Sequence, residues 1–473
     1  MIRHKFLPIQ TPTTEDSESA NMTQPRRSAH PIISSAAPAT SSAMQSSVSQ
    51  SKMSQTEARR GFLKTAAVTG AAATFLQRSV HAQGDETIRV GLIGCGGRGT
   101  GAAGNVMTAD KYAKVVALGD MFEDRIAQCR QQLSRKYAEQ FSVDDDHCYV
   151  GIDAYQKLID NADVDVVCLC SPPHFRPMQL EAAIKAGKHV FCEKPIAVDP
   201  VGVRKVLELS KLAKEKKLNL VSGLCWRYDR GVKATIEQIK DGAIGDIVAT
   251  QEDYLTGTLW QRTRQEGWSD LEYQMRNWLY YRWLSGDHIV EQFIHSLDKS
   301  LWLHDDKPPV TAYGLGGRQV RTGEEFGDIY DHFSIVYEWE DGSRTFAHTR
   351  QMSDCFNQVE DFIYGTKGTA KILDNSISGE SGKWKFEGEK PSMYDEEHRA
   401  LFSAIRKGDV INNGEYMCYS TLMAIMGREA CYSGKVIKWD ELMNSSMDLS
   451  PHTYEFGAAP SVSVPMPGKY VVS

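Results

Sequence analysis

The chain lacks the spacings that would build a metal centre: it has no HExxH, and its ten cysteines contain no CxxC pair. Beyond the N-terminal region it has no run of about 18 apolar residues, so no membrane-spanning helix is expected. Basic charge is also short. A formal net charge of -7 over 473 residues provides no field to attract nucleic acid. Internal repeats are absent. Cys168, Cys170, Cys192 and Cys225 lie in or beside apolar strand patterns, which reads as buried thiols rather than a disulfide framework. What remains, 41% hydrophobic and 24% charged residues, is the composition of a globular protein long enough for two substantial domains.

The first 86 residues differ from the rest. Ser, Thr, Ala, Pro and Gln dominate positions 11–56 with few aromatics, and such a stretch buries too little surface to offset its chain entropy. A low-complexity extension is therefore expected over 1–57. Arg59-Arg60-Gly61-Phe62-Leu63-Lys64, a mildly apolar stretch over 65–76 and the small-residue site Val80-His81-Ala82 follow. That order predicts a twin-arginine export signal over 58–82, with a periplasmic mature protein. Met53 would open a signal of ordinary length, which makes 1–52 a dispensable extension or a misassigned start. The basic, Ala-rich segment also reads as a plain terminal helix.

From residue 87 apolar runs alternate with helical patterns, the sequence form of a parallel sheet covered by helices. Strands are expected at 88–93, 114–119, 155–159, 164–170, 188–192 and 218–224. Six strands in this rhythm make an α/β dinucleotide-binding Rossmann domain over 87–228. A second, α+β domain over 229–450 follows, with strands at 247–254, 333–339, 344–350, 359–364 and 368–373 in an open, mostly antiparallel sheet. A last helix at 416–431 is expected to pack back on the first domain, and 451–473 forms a tail. Between the first strand of the second domain and the rest lies an aromatic-rich insertion, 260–283, with Trp268, Tyr273, Trp278, Tyr280, Tyr281 and Trp283. It reads as core, as a subunit contact or as a sugar-stacking wall.

Gly94, Gly96 and Gly99 form GxGxxG, with Gly97 and Arg98 inside it, directly after an apolar strand and before a helix. Missing side chains there let backbone amides approach a pyrophosphate at the helix N-terminus. Asp120 stands at the end of the second strand, where a carboxylate accepts hydrogen bonds from the adenosine ribose and repels a 2′-phosphate. NAD is thereby favoured over NADP. An ordinary turn carboxylate is the plainer reading of Asp120.

Glu193-Lys194-Pro195 ends the fifth strand. It brings a lysine to the same edge of the sheet, where partial burial and the positive charge of NAD⁺ are expected to favour its neutral, proton-accepting form. Glu291, His295 and Asp298 are spaced i, i+4 and i+7, which on one helix gives one polar stripe. An imidazole there passes a proton near neutral pH and a carboxylate one turn away orients it. Two other readings of the stripe stay open: a polar cluster at a domain boundary, and a metal site using His288, Glu291 and His295, for which no further ligand is evident.

With GCGGRG, the turn Ser171-Pro172-Pro173-His174, Glu193-Lys194-Pro195, the ExxxHxxD segment and Tyr364-Gly365-Thr366-Lys367-Gly368-Thr369, the chain resembles the glucose-fructose oxidoreductase, inositol dehydrogenase and MocA (Gfo/Idh/MocA) family over about residues 87–450. It looks most like an exported, twin-arginine branch. The resemblance implies Lys194 and His295 as a catalytic pair with Glu291 beside them. It places Ser171, Pro172, His174, Glu193 and Lys194 along the cofactor. The family usually carries Asp where this chain has Glu291, one methylene longer. A carbohydrate or cyclitol is implied as substrate, a homo-oligomer through the second sheet as assembly, and a tightly retained NAD that is regenerated in place. NAD-dependent glycoside cleavage by transient oxidation is the alternative chemistry, and a non-catalytic nucleotide-binding module the alternative of another class.

Overall fold

A computed structural model describes residues 86–472; the extension and export signal expected over 1–82 lie outside the described residues. The first layer is a parallel sheet of β1 (Ile88–Ile93), β2 (Ala113–Asp120), β3 (Cys148–Val150), β4 (Val166–Leu169), β5 (His189–Cys192) and β6 (Leu220–Ser222), in the order β3-β2-β1-β4-β5-β6. Helices α1 (Gly97–Ala109), α2 (Glu123–Lys136), α3 (Ala154–Asn161), α4 (Arg176–Lys185) and α5 (Pro200–Glu215) make the crossovers. All four residues of β4 are buried, because helices cover both faces, and the strand is accordingly one continuous apolar run. Strand order reverses between β1 and β4, and a ligand crevice forms beyond the carboxyl ends of the strands at such a switch point.

The third strand is not where the apolar pattern put it. Residues 155–159 belong to α3, whose Ala154, Leu158 and Ile159 are buried at helical spacing, whereas β3 is three half-buried or exposed residues at the sheet edge. An edge strand of that length carries no apolar run to read. At the start of α5 the Asp199 carboxylate caps the helix, accepting from Gly202 N at 2.7 Å, with Pro200 as the first helical residue.

After α6 (Arg230–Lys240) comes β7 (Ile247–Thr256), then the insertion with α7 (Asp270–Arg276), α8 (Arg282–Ser285), α9 (His288–Glu291) and α10 (Ile294–Leu303). The remaining strands are β8 (Thr311–Gly317), β9 (His332–Glu338), β10 (Arg344–Gln351), β11 (Gln358–Gly365), β12 (Gly368–Lys371), β13 (Ser376–Gly379), β14 (Gly382–Lys385) and β15 (Ile437–Lys438). They form one sheet in the order β14-β13-β12-β11-β7-β10-β9-β8-β15, in which β7 and β10 run parallel and the other neighbours antiparallel. One face is packed by buried Phe333, Ile335, Tyr337 and Ala347. The other exposes Leu315, Phe346 and Tyr364, which is the alternation of a sheet covered on one side.

Two late helices return to the first layer. Leu401, Phe402 and Ile405 of α11 (Met393–Lys407) share a core with Val90, Leu92, Ala102 and Ala103. The helix α12 (Gly414–Ser433) is buried nearly all round, since it lies between α5 and the second sheet. Each Leu or Ile so enclosed contributes about 1.5–3 kcal/mol, enough in sum to fix the two lobes against each other. The tail is tied down as well: Leu271 N donates to Gly457 O at 3.2 Å, Tyr330 Oη to Pro465 O at 2.8 Å and Gly468 N to Ser433 O at 2.9 Å.

Candidate active site

The glycine turn between β1 and α1 has two constrained and two open positions. Gly94 has φ +94°, and a Cβ on it would lie 2.4 Å from Ser171 N; a Cβ on Gly99 would lie 1.8 Å from Gly94 O. Those two glycines let the turn close on itself and on the end of β4. Gly96 and Gly97 would meet nothing within 4 Å, and Gly96 starts α1 without a side-chain cap. A helix N-terminus of this kind, with clear space before it, fits a pyrophosphate.

Asp120 at the tip of β2 braces this turn. Its Oδ2 accepts from Cys95 N at 2.6 Å and its Oδ1 from Phe122 N at 2.9 Å. Burial raises its pKa, against the lowering effect of those amides. A carboxylate has about four acceptor positions, so ribose hydroxyls still find lone pairs there. The crevice has a volume of about 450 Å³, within the range of small-molecule sites. Gly94, Gly96, Gly97, Arg98, Gly99, Asp120, Ser171 and Pro172 line one side of it, and Leu259, Trp260, Arg262, Trp278, Glu291 and Gln292 stand on the other. Ser171 is oriented by Gln179, whose Oε1 accepts from Ser171 Oγ at 2.5 Å.

Three residues expected along the cofactor, His174, Glu193 and Lys194, are not among those that line it. His174 is buried against Phe175, Trp283 and Tyr454, with Nε2 2.8 Å from Tyr454 Oη; burial lowers its pKa to about 4. Glu193, 3% exposed, is turned toward the first helix and pairs with Arg98 Nε. Arg98 also reaches Glu397 on α11 at 3.4 Å, and Glu397 has its pKa raised well above the usual range by burial and by Glu193. Arg98 thus links the glycine turn to the residue that precedes Lys194. Glu397 and Gln179 were not found from sequence; no spacing connects a carboxylate on α11 to a turn about 300 positions earlier.

Lys194 follows β5 and donates from Nζ to Glu291 Oε1 at 2.9 Å and to the Glu291 main-chain carbonyl. Both side chains are largely buried, 14% and 12% exposed. The expected polar stripe is broken, because α9 ends at Glu291 and α10 begins at Ile294, with Gln292 and Phe293 in a turn between them. Glu291 is thereby aimed at Lys194 rather than stacked on the histidine. Asp298 faces away from the crevice, accepting from Arg227 Nη2 at 2.8 Å and from Ser420 Oγ at 2.7 Å.

His295 opens α10 with its Nδ1 enclosed and unpartnered. Burial, then the positive charges of Lys194, Lys299 and Arg98, hold its pKa well below the usual histidine range. Both causes favour the neutral imidazole. The carboxylate expected to orient His295 is thus paired with Lys194 instead, and no protein group partners His295 Nδ1. His288 points elsewhere, buried with Nδ1 3.0 Å from Asp287 Oδ1. Among the described residues no group of three or more His, Cys, Asp or Glu is set to hold a metal ion.

This arrangement has relatives. Residues 88–224 match the family described as "Oxidoreductase family, NAD-binding Rossmann fold", and residues 232–371 the "GFO/IDH/MocA C-terminal domain". The chain is 30% identical over 209 residues to a myo-inositol 2-dehydrogenase of Thermotoga maritima, covering 44% of this chain and 57% of that one. It is 27% identical over 232 residues to a 2,7-anhydro-N-acetylneuraminate hydratase of Escherichia coli K12, covering 49% and 57%. Those alignments span less than two thirds of either relative. Among solved structures, apo scyllo-inositol dehydrogenase from Lactobacillus casei superposes with a TM-score of 0.58 at 20% identity, over 75% of this chain and 99% of that one. An aldose-aldose oxidoreductase from Caulobacter crescentus does so with 0.59 at 18% identity, over 75% and 100%. The fold is shared with both. Its turn, its crevice and its two matched domains make the chain a member of the Gfo/Idh/MocA oxidoreductase family, with an NAD-binding Rossmann domain at residues 88–224.

Proposed function

We propose that the protein oxidises or reduces a ring carbon of a cyclitol or sugar, with Lys194 and His295 handling the hydroxyl proton. The observation that carries this reading is geometric: Lys194 Nζ is held 2.9 Å from Glu291 Oε1, and His295, four residues further on, keeps an enclosed Nδ1 with no protein partner. NAD, when bound along the Gly96–Gly97 opening and Asp120, supplies the hydride acceptor. Lys194 orients the reacting hydroxyl by donating to its oxygen, and His295 accepts the proton as the C–H bond is cleaved; in the reverse direction the imidazolium returns it to the carbonyl oxygen. Glu291 holds the ammonium in place, which limits the orientations open to it.

Relatives named as inositol dehydrogenases support a cyclitol. A relative named as a hydratase supports a second, redox-neutral reading: glycoside cleavage in which transient oxidation allows the leaving group to be eliminated. Twin-arginine export to the periplasm remains our reading of residues 58–82, and it favours a retained cofactor. The exposed Leu315, Phe346 and Tyr364 on the open sheet face support a homo-oligomer. Incubating the purified protein with cyclitols, free sugars and aryl glycosides tests the chemistry. Reduced nicotinamide from a polyol supports the dehydrogenase, phenol without net reduction supports the glycosidase, and neither with any substrate leaves the non-catalytic module.

A further inference from the structure

Gln292 adjoins Glu291 and lines the crevice on the wall opposite the glycine turn, yet neither cofactor binding nor the handling of the hydroxyl proton uses it. Its side chain is half-buried. The Oε1 end accepts from Gln351 Nε2 at 3.2 Å, and the Nε2 end has no hydrogen-bond partner among the described residues. Which end faces the crevice decides what the position can read, because an amide NH₂ only donates and an amide oxygen only accepts.

That choice is made deeper in the fold. Gln351, the last residue of β10, is fully buried, and its Oε1 accepts from Arg321 Nη2. A guanidinium has five donors and no acceptor, so the oxygen of Gln351 must turn toward Arg321. Its NH₂ then turns toward Gln292, and the oxygen of Gln292 turns back to meet it, which leaves the Gln292 NH₂ for the crevice. Arg321 is itself held in place. Its Nη1 donates to the Tyr330 carbonyl at 2.9 Å and its Cζ lies 5.2 Å from the Tyr280 ring centroid. Asp331 Oδ2 pins the loop that carries it, accepting from the main-chain N of Gln319, Val320 and Arg321 at 2.7, 2.7 and 3.0 Å. Among the described residues no carboxylate stands within ion-pair distance of the buried guanidinium, so its charge polarises the two amides toward the crevice.

We infer that Gln292 is a specificity-determining residue, held donor-outward by Arg321 through Gln351, which reads an acceptor oxygen on the substrate. It favours a sugar or cyclitol acid, whose carboxylate only accepts, over an amino sugar, whose ammonium only donates. A hydroxyl does both, so an unsubstituted polyol falls between. The inference rests on the reading that a polyol-type substrate occupies the crevice beside Lys194.

The test is binding rather than turnover. Glucuronate, glucose and glucosamine are titrated calorimetrically into NAD-loaded protein at about pH 6, where the amine is protonated. Wild type is expected to prefer glucuronate to glucosamine by at least about tenfold, the scale of one hydrogen bond to a charged group. Gln351→Glu leaves the crevice lining unchanged and gives Arg321 a carboxylate. Being an acceptor only, that carboxylate turns the Gln292 amide around, and the preference should fall by at least about tenfold. Gln292→Glu puts an acceptor at the crevice directly and should shift the preference the same way. Gln292→Met offers neither end and should weaken glucuronate while leaving glucosamine within about twofold. Bound NAD, weighed by mass spectrometry, should be equal in all four proteins. A preference within twofold of wild type in either glutamate variant overturns the assignment while leaving the sugar reading standing. Loss of NAD from Gln292→Glu with an unchanged preference also overturns it, by giving the amide to the nicotinamide. Wild-type protein that binds none of the three probes overturns both readings.

Discussion

Replacing Glu291 separates the orientation of Lys194 from its chemistry. In the native protein Nζ has two acceptors, Oε1 at 2.9 Å and the main-chain carbonyl of the same residue. Glu291→Gln keeps the backbone contact and an amide oxygen but removes the negative charge. A hydrogen bond to a charged group is worth about 1.5–3 kcal/mol net, and part of it survives, so the loss should be about 1–2 kcal/mol. That corresponds to a fall of about 5–30-fold in kcat/KM. Glu291→Ala deletes the side-chain acceptor and leaves only the main-chain carbonyl, and should cost more, about 30–150-fold, while Lys194→Ala should reach about 10²–10⁴-fold. Glu291→Asp restores the charge on a shorter arm and should recover only part of the loss. The assay is single-turnover formation of reduced nicotinamide from a reactive polyol on cofactor-loaded protein. Equal rates in wild type, Glu291→Gln and Glu291→Ala would refute the idea that this ion pair positions the lysine.

Further outcomes follow from the same geometry. Because the pKa of His295 lies well below 6.5, kcat/KM for oxidation should show no inflection near that pH; one there would assign the base to an ordinary histidine. Gly99→Ala should destabilise the fold by more than about 3 kcal/mol, since its Cβ would lie 1.8 Å from a backbone oxygen. Gly96→Ala, with open space around it, should leave thermal stability within about 1 kcal/mol while weakening NAD binding at least about tenfold by titration. Burial lowers the pKa of His174 to about 4 and that of His398 to about 3, so the unfolded chain binds more protons than the native one below pH 6.5. Stability should be unaffected by these groups above that pH and fall on acidification by about 1.4 kcal/mol per pH unit for each, down to about pH 4 for His174. Chemical denaturation across pH 4–7 checks it, and His398→Phe, at a ring 4.1 Å from that of Phe191, should flatten the slope.

The sequence was readable wherever one residue type had one physical reason to be there. Gly94 and Gly99 are required by a positive φ and a backbone contact, and fully buried strands such as β4 print themselves as apolar runs. It was unreadable where tertiary contacts decide. The short edge strand β3 carries no pattern, and periodicity took α3 for a strand. A 3.6-residue stripe assumed that 288–298 was one helix, but the turn at Gln292 and Phe293 rotates Glu291 toward Lys194. The resemblance implied His174 as a cofactor residue, and its packing against Phe175, Trp283 and the tail's Tyr454, 280 positions away, shows why it lies inside. The aromatic insertion was left between core, contact and ligand wall; Tyr280 and Trp283 prove to be core while Trp260 and Trp278 face the crevice.

The most direct measurement follows one hydrogen. Holoprotein is incubated with cyclitols and sugars deuterated at their carbinol carbons, and the nicotinamide ring is examined by mass spectrometry for label at C4. Lys194 and His295 acting as proposed predict deuterium in the wild-type cofactor, and its loss in Lys194→Ala and His295→Asn proteins that still carry NAD. No label from any polyol, or equal labelling in the two variants, would contradict it.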